Sequence, residues 1–344
     1  MSYQREFTKY LKIGVIGVGS HSYRNILPLL NFLPVRLSAV CDLNSEMAEI
    51  TAAQYACRAY NSTASMYEKE ALDAVFICVG PKQHPALVLE ALQANVHVWV
   101  EKPISVRASQ IDELIENRKD RVVVVGHKKV FMPATCKALE IIESADYGAL
   151  RSILAVYPMK LEQNGEEILA AQETPNWLLN GVHPLSFLLR LGGEVNAVTA
   201  ISGKYGSGSV ILEFEGGVIG NLHLASGAAP SREFYGVYGS TWSMTIEDTR
   251  IGLQRGIPFE YDRTTSYAPE GIDSGEVVWS AGNCLSTLEN NSLFTQGLYN
   301  ETRYFCDCVL ENKTPDQGTL EFARKIMLVY EAALCSHGNR IELA

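Results

Sequence analysis

Residues 12–22 read KIGVIGVGSHS, an apolar run that leads into two glycines separated by one residue. The run predicts a buried strand. Gly17 permits a tight turn after it, and Gly19 lets the backbone approach a pyrophosphate. A dinucleotide fingerprint has a third glycine where this chain has Ser22, so the hydroxyls of Ser20 and Ser22 become candidate phosphate donors. Because glycines occur in many turns, the stretch decides the fold only together with its surroundings.

Strand-like and helix-like segments alternate around this stretch. Three segments, 44–55, 83–94 and 108–117, carry helical spacing of apolar residues. The short apolar runs between and around them are continuous enough to be buried on both faces of a parallel sheet. These runs are Ile13–Ile16, Arg36–Cys41, Ala74–Val79, Val96–Val100 and Arg121–Val125. The pattern predicts an α/β dinucleotide-binding (Rossmann) domain over residues 1–126.

The pattern changes after Gly126. Helices are predicted at 133–144, 176–191, 298–311 and 319–337, and a strand at 150–157. Six further strand-like runs have no helix between them, which is typical of an antiparallel sheet. They are Val195–Ser202, Ser209–Phe214, Val218–Ala225, Glu233–Tyr238, Trp242–Ile246 and Pro258–Tyr261. We therefore expect residues 127–344 to form an α+β domain with a large, mostly antiparallel open sheet.

Composition narrows the class of protein. A chain of 344 residues is long enough for two cores, and its 47% hydrophobic content is that of a globular protein. The net charge of −10 opposes binding to nucleic acid or anionic membranes. Met1–Lys12 is polar, and no run of about 18 apolar residues follows, so we expect a cytoplasmic protein that is neither secreted nor membrane-spanning.

The eight cysteines are spread through the chain and read as free thiols, several of them buried. Cys306 and Cys308 form a single C-x-C without a second pair of ligands, so no metal site is predicted.

Asp42 closes the second predicted strand, 25 residues after Gly17. A carboxylate there can accept hydrogen bonds from the adenosine ribose and would repel a 2′-phosphate, which favours NAD over NADP. The alternative is that Asp42 only caps a helix or shapes the turn before Asn44.

Two further signals concern the reacting groups. Glu101, Lys102 and Pro103 follow the predicted strand Val96–Val100, at the sheet edge where ligands of such folds bind. Alone, Glu101 and Lys102 would be a solvated pair. His183 lies within the predicted helix at 176–191, either as a catalytic group or as a histidine packed at a domain interface.

Together these motifs resemble the Gfo/Idh/MocA oxidoreductases, whose members mostly oxidise or reduce sugars, inositols and related polyols with NAD(P). The resemblance spans nearly the whole chain. It rests on GVIGVGSHS, on the acidic end of strand two, on VHVWVEKPIS, on VVVVGHKKVFMPATCKALEII, on NGVHPLSFLLRLGG and on KTPDQGTLEFARKIMLVYEAALCS.

The resemblance implies roles for individual residues. Lys102 would lie beside the nicotinamide, before a peptide bond to Pro103 that is often cis in this family, and His183 would be the catalytic histidine. The family's aspartate four residues earlier is Leu179 here; Asn180 can orient the imidazole but supplies no charge. The implied cofactor-binding set is Gly17, Gly19, Ser20, His21, Ser22, Asp42, Gly80, Pro81, His84, Glu101, Lys102 and Pro103. Candidate replacement carboxylates are Glu162, Glu166, Glu167 and Glu173.

The implied reaction is reversible hydride transfer between the nicotinamide of NAD and a secondary alcohol of a sugar, polyol or sugar derivative. His183 would accept the hydroxyl proton, and Lys102 would stabilise the alkoxide. The candidate substrate residues are His127, Lys128, Trp177 and Asn180, with Lys129 expected to be only a solvated neighbour. Trp177 can equally fill the core, and His84 can serve only at a helix start. A homodimer or homotetramer is expected. A non-catalytic NAD- or sugar-sensing protein and an NAD-dependent redox-neutral glycosidase remain alternatives.

Overall fold

The structure is a computed structural model that describes residues 7–256, 274–281 and 292–343. The chain divides into two compact units. The first comprises Met1–Lys128 and Gly297–Met327, and the second Lys129–Gln296 and Leu328–Ala344. The strand predicted at Pro258–Tyr261 and one cysteine, Cys284, lie outside the described residues.

The first unit contains a parallel sheet of six strands. The strands are β1 Leu11–Ile16, β2 Val35–Cys41, β3 Arg58–Tyr60, β4 Ala74–Ile77, β5 His97–Glu101 and β6 Val123–Gly126. Their order is β3-β2-β1-β4-β5-β6, so the chain changes direction across the sheet between β1 and β4. At such a point the loops after neighbouring strands diverge and leave a crevice for a ligand. The predicted Rossmann architecture is confirmed.

Seven of the ten α-helices in the described residues correspond to predicted helices, and Thr63–Lys69, Gly165–Ala170 and Ser292–Thr295 were not predicted. The ten are α1 Ser45–Tyr55, α2 Thr63–Lys69, α3 His84–Gln93, α4 Ser109–Asn117, α5 Pro133–Glu143, α6 Gly165–Ala170, α7 Asn176–Gly192, α8 Ser292–Thr295, α9 Leu298–Leu310 and α10 Leu320–Cys335. The segment after β1 departs from a regular helix, because a π-helical turn at Ser22–Ile26 is followed by a 3₁₀ segment at Leu27–Phe32.

The second unit contains a sheet of nine strands in the order β14-β13-β12-β11-β7-β10-β9-β8-β15. The strands are β7 Leu150–Tyr157, β8 Val195–Ser202, β9 Gly208–Phe214, β10 Ile219–Leu224, β11 Phe234–Gly239, β12 Trp242–Glu247, β13 Arg250–Arg255, β14 Gly275–Ser280 and β15 Ile341–Glu342. Only β7 and β10 pair in parallel among these described strands. Phe187 of α7 stacks on Tyr235 of β11 with 3.8 Å between ring centroids, which places α7 on one face of the sheet. The predicted α+β class is confirmed.

Residues 297–327 depart from the predicted division, which assigned 127–344 to one domain. They pack in the first unit because α9 covers its sheet: Phe305 lies edge-on to Phe76 with ring centroids 5.6 Å apart. Val125 of β6 donates its N–H to the Gly318 carbonyl at 2.7 Å, so the chain after α9 is hydrogen-bonded to β6.

No helix in the described ranges combines the length and the apolar character that a membrane crossing requires.

Candidate functional site

The glycine loop after β1 closes against β4 and opens on its other side. Gly17 has φ +85°, and a Cβ there would lie 2.5 Å from the Cys78 carbonyl oxygen, so a side chain does not fit. A Cβ on Gly19 would meet no atom of the described residues within 4 Å. The backbone at Gly19 is therefore accessible to a ligand, as the sequence predicted.

The serine in the third fingerprint position points inward. Ser22 is fully buried, and its hydroxyl lies close to the Cys78 thiol. The predicted phosphate contact of the Ser22 hydroxyl is therefore wrong in this conformation, because burial keeps it away from any ligand. Ser20 and His21 are exposed at the loop and stay candidates.

Asp42 joins the end of β2 to the glycine loop. Its Oδ2 accepts a hydrogen bond from the Val18 N–H, and its Oδ1 accepts one from the Asn44 N–H, both at 2.9 Å. Asn44, rather than Asp42, caps α1 by accepting from the Met47 N–H at 3.2 Å. The helix-cap alternative for Asp42 is thus excluded, whereas its part in the turn is real.

A cavity of about 620 Å³ opens beside Asp42. Its lining includes Gly17, Asp42, Asn61, Thr63, Lys82 and Glu90. The size falls in the usual range for small-molecule sites, and the cavity lies at the carboxyl ends of β1 and β2. It can hold one half of a dinucleotide next to the glycine loop.

Glu101, the last residue of β5, is buried and bound at both carboxylate oxygens. Oε1 lies 2.8 Å from His21 Nε2, and Oε2 accepts the Lys102 N–H at 3.0 Å. Burial alone would raise the pKa of Glu101, but the hydrogen bond with His21 and the charges of His21 and Lys102 outweigh it and lower that pKa. Glu101 is therefore an ionised carboxylate that links the glycine loop to the strand before Lys102.

Lys102 is half-buried directly after β5, and the peptide bond from Lys102 to Pro103 is cis, as the family resemblance implied. The fully buried His84 donates from Nδ1 to the Pro103 carbonyl at 2.8 Å. Burial lowers the pKa of His84, which favours the neutral ring. His84 therefore supports the backbone after Lys102. Gly80, exposed, and Pro81, buried, form the turn before α3.

The residues after β6 differ in their surroundings. His127 is 2% exposed, and burial together with the charge of Lys102 lowers the pKa of His127 to about 3. It is thus a neutral histidine beside Lys102, whereas Lys128 is half-buried. Lys129, expected to be solvated, is buried in the second unit because it pairs with Glu233 at 2.8 Å.

Helix α7 of the second unit carries His183, which is 8% exposed. Leu179 is half-buried one turn earlier, where the family's aspartate would stand. Asn180 donates its side-chain NH₂ to Asn176 Oδ1 at 2.5 Å, so its amide is engaged toward the helix N-terminus.

Trp177 is fully buried, so it belongs to the core and the predicted stacking on a ligand is wrong. Its indole N–H donates to the Tyr330 carbonyl at 3.4 Å, and its ring lies 6.4 Å from the Tyr330 ring. Position 181 has no room for a side chain, because a Cβ on Gly181 would lie 2.3 Å from the Trp177 ring.

The four candidate replacement carboxylates are not equivalent. Glu166 pairs with His337 at 3.0 Å, and Glu167 accepts from the Asn164 amide at 3.4 Å. Glu173 is exposed, whereas the Glu162 side chain is 9% exposed and burial raises the pKa of Glu162. Glu162 is thus the buried one of the four, but its raised pKa disfavours the negative charge that a partner of His183 needs, so its role there stays a prediction.

Residues 11–127 match the GFO_IDH_MocA profile, described as an oxidoreductase family with an NAD-binding Rossmann fold. These residues belong to the Gfo/Idh/MocA oxidoreductases. The resemblance predicted from the motifs is thereby confirmed.

Relatives and solved structures extend the likeness beyond this Gfo/Idh/MocA domain. A dTDP-3,4-didehydro-2,6-dideoxy-alpha-D-glucose 3-reductase of Saccharopolyspora spinosa is 26% identical over 70% of this chain and 75% of its own length. A UDP-N-acetylglucosamine 3-dehydrogenase of Acidithiobacillus ferrooxidans is 28% identical over 62% and 66%, respectively. An Agrobacterium radiobacter oxidoreductase, solved in complex with NAD⁺, L-tartaric acid and magnesium, is 15% identical over 96% of this chain and 98% of its own, with a TM-score of 0.79.

The ligand edge of this Gfo/Idh/MocA domain fits NAD, the cofactor of its family. The open backbone at Gly19 suits a pyrophosphate, and Asp42 borders a cavity of suitable size. Lys102 follows β5 at the same edge of the sheet, two strands from the glycine loop.

Sequence reasoning missed part of this edge. The residues from Asn61 to Thr63 line the cavity, but β3, the short strand before them, lacks an apolar run from which it could have been predicted. Lys82, in the turn before α3, also lines the cavity. Glu301 was also missed. It lies fully buried in the first turn of α9, and nothing in its local sequence distinguishes it from an ordinary helix acid.

Proposed function

We propose that this Gfo/Idh/MocA chain is an NAD-dependent oxidoreductase that acts on a CH–OH group of a sugar, polyol or sugar derivative. The names of the relatives support the class, because the Saccharopolyspora spinosa and Acidithiobacillus ferrooxidans proteins act at position 3 of nucleotide-linked sugars. The observation that carries the proposal is the placement of Lys102, next to an ionised Glu101 that is itself bound to the glycine loop through His21.

Each residue has a stated task in this proposal. Bound NAD supplies the hydride acceptor at nicotinamide C4. Lys102 hydrogen-bonds the substrate oxygen and stabilises negative charge on it, and His183 accepts the hydroxyl proton. Asp42 accepts hydrogen bonds from the ribose hydroxyls and disfavours NADP. With Leu179 beside it in place of an aspartate, His183 would lack the usual support for its cationic form.

The test follows NADH absorbance with NAD and a panel of sugars, inositols, dTDP-linked deoxysugars and UDP-N-acetylglucosamine. Lys102→Met removes the ammonium group at nearly constant length. Lys137→Met is the matched control, because Lys137 forms only a surface pair with Glu140 at 2.6 Å. We expect turnover that persists in the control and is lost in Lys102→Met.

Other outcomes would identify the alternatives. Tight NAD binding without turnover of any compound would favour a sensor. Cleavage of a glycoside that needs NAD but yields no net NADH would favour the redox-neutral glycosidase.

We further propose a cytoplasmic homo-oligomer. Free thiols at the described cysteines are consistent with a reducing compartment. Strand register puts the exposed Ile201, Ile219 and Tyr238 on the sheet face opposite α7, which is a suitable surface for a second copy. Light scattering at defined concentration tests this, and a monomer at micromolar concentration would contradict it.

A further inference from the structure

A buried carboxyl group lies next to the Lys102 segment and has no part in the function proposed above. Glu301, in the first turn of α9, is 0% exposed. Neither of its carboxyl oxygens has a hydrogen-bond partner within the part of the chain that the structure describes. Buried acids are normally paired or hydrogen-bonded, so this one calls for an explanation.

Its position is defined by the last rung of the parallel sheet. Helix α9 packs on β5 and β6, where Gly126 pairs with Glu101. A Cβ on Gly126 would lie 3.4 Å from Glu301 Oε1 and 2.7 Å from the Trp99 ring. Glu101 shares the strand face of Trp99, two residues earlier, so both carboxyl groups approach the same rung from the α9 side. The residue that follows β5 is Lys102.

The charges around this rung favour one ionised and one neutral carboxyl group. Burial and the negative charge of Glu101 raise the pKa of Glu301 well above its usual value, against the opposing effect of Lys128 and Lys102. Glu101, in contrast, is held ionised chiefly by His21.

The remaining titratable groups nearby do not change this assignment. His127, after β6, is kept neutral by burial, which lowers its pKa to about 3. On α9 itself, Arg303 is paired with Asp307 at 2.8 Å.

We propose that Glu301 is a positioning residue for the nicotinamide, protonated in the free protein and giving up its proton when the positively charged ring of NAD⁺ binds beside Lys102. The inference rests on the proposed function. NAD⁺ and NADH differ by one positive charge on the ring. A cation next to an ammonium group needs a compensating anion, which Glu301 supplies by releasing one proton to solvent. Reduction of the ring removes that charge, and Glu301 takes the proton back.

Because NAD⁺ binding is coupled to proton release from Glu301, the affinity for NAD⁺ should depend on pH. A ligand that favours the ionised acid binds more tightly when the acid is already ionised, so NAD⁺ affinity should rise with pH by up to about tenfold per unit. NADH lacks the ring charge and should show a smaller rise. The adenosine and pyrophosphate parts are common to both cofactors, so their contributions cancel in the comparison.

The experiment is calorimetric titration of the full chain with NAD⁺ and NADH between pH 6.5 and 9, in two buffers of different ionisation enthalpy. The proton count per binding event follows from the difference between buffers. We expect NAD⁺ to release more protons than NADH in the unmodified chain. Glu301→Gln should abolish the difference in proton release. Glu301→Met is the second variant, for use if the Glu301→Gln protein folds poorly, and it should abolish the difference as well. Asp307→Asn, on the same helix, should keep it.

The outcomes separate this inference from the proposed function. Binding of both cofactors with equal proton counts refutes the inference alone, as does a difference that survives in Glu301→Gln and Glu301→Met. Absence of binding by either cofactor refutes the dehydrogenase proposal, and the inference with it.

Discussion

Replacing Gly17 by alanine should destabilise the first unit even before any ligand is added. An alanine at φ +85° is in the left-handed region, which costs roughly 1–2 kcal/mol. Its Cβ would also lie 2.5 Å from the Cys78 carbonyl oxygen and 2.7 Å from a methyl carbon of Val79. A backbone oxygen cannot rotate away as a side chain can, so β4 must shift, at a further cost of about 1–3 kcal/mol. We expect the free energy of unfolding to fall by about 2–5 kcal/mol in denaturant titrations followed by circular dichroism.

Gly19→Ala is the matched control in the same loop. Its φ is not positive, and the new Cβ would meet no described atom within 4 Å, so stability should change by less than about 0.5 kcal/mol. The methyl group would occupy the space that a pyrophosphate needs, and NAD affinity in calorimetry should fall by about tenfold or more, equivalent to about 1.4 kcal/mol. Unchanged stability of Gly17→Ala, or unchanged NAD affinity of Gly19→Ala, would refute this account of the loop.

Three more predictions concern single residues. Asp42→Ala should lower NAD affinity by about tenfold and reduce the preference for NAD over NADP, because the carboxylate that accepts hydrogen bonds from the ribose is lost. An unchanged ratio of the NAD and NADP affinities would contradict this. His127→Phe should reduce the loss of unfolding free energy that occurs as the pH falls below about 6.5. The native ring has its pKa lowered to about 3 while the unfolded ring titrates near 6.5, so the unmodified chain loses up to about 1.4 kcal/mol per pH unit below about 6.5. Parallel curves for the two proteins would rule that out. Leu179→Asp should raise kcat by about tenfold by supporting the cationic form of His183, and a rate at or below that of the unmodified chain at every pH would count against it.

The predictable part of the site is the part that follows buried strands. Ile16 leads into Gly17, Cys41 into Asp42 and Val100 into Glu101, and in each case an apolar run ends in a residue with a specific backbone or charge requirement. Since parallel strands end at one edge, recognising the runs was enough to bring these residues together. The cis bond before Pro103 agrees with what the family resemblance implied.

Side-chain direction was the main source of error. Ser22 and Trp177 occupy positions where a ligand contact was plausible, yet both are buried, because a π-helical turn rotates Ser22 inward and α7 packs Trp177 against Tyr330. Lys129 looked like a solvated neighbour of Lys128, but its partner Glu233 lies 104 residues away in the sequence. Pairings at such separations leave no local pattern from which they could be predicted.

Residues 297–327 belong to the first unit, and their helix α9 affects both the core and the ligand edge of its sheet. Phe305 packs on Phe76, which lies 5.4 Å from the Trp99 ring, so α9 shields an aromatic layer that the predicted first domain alone would expose to water. The same helix places Glu301 beside the paired residues Glu101 and Gly126, directly before Lys102. A helix that only covered the sheet would carry an apolar residue there, because burying an unpartnered acid is costly. The retention of an acid at that rung therefore points to a role in the charge state of the ligand edge, beyond the stability of the core.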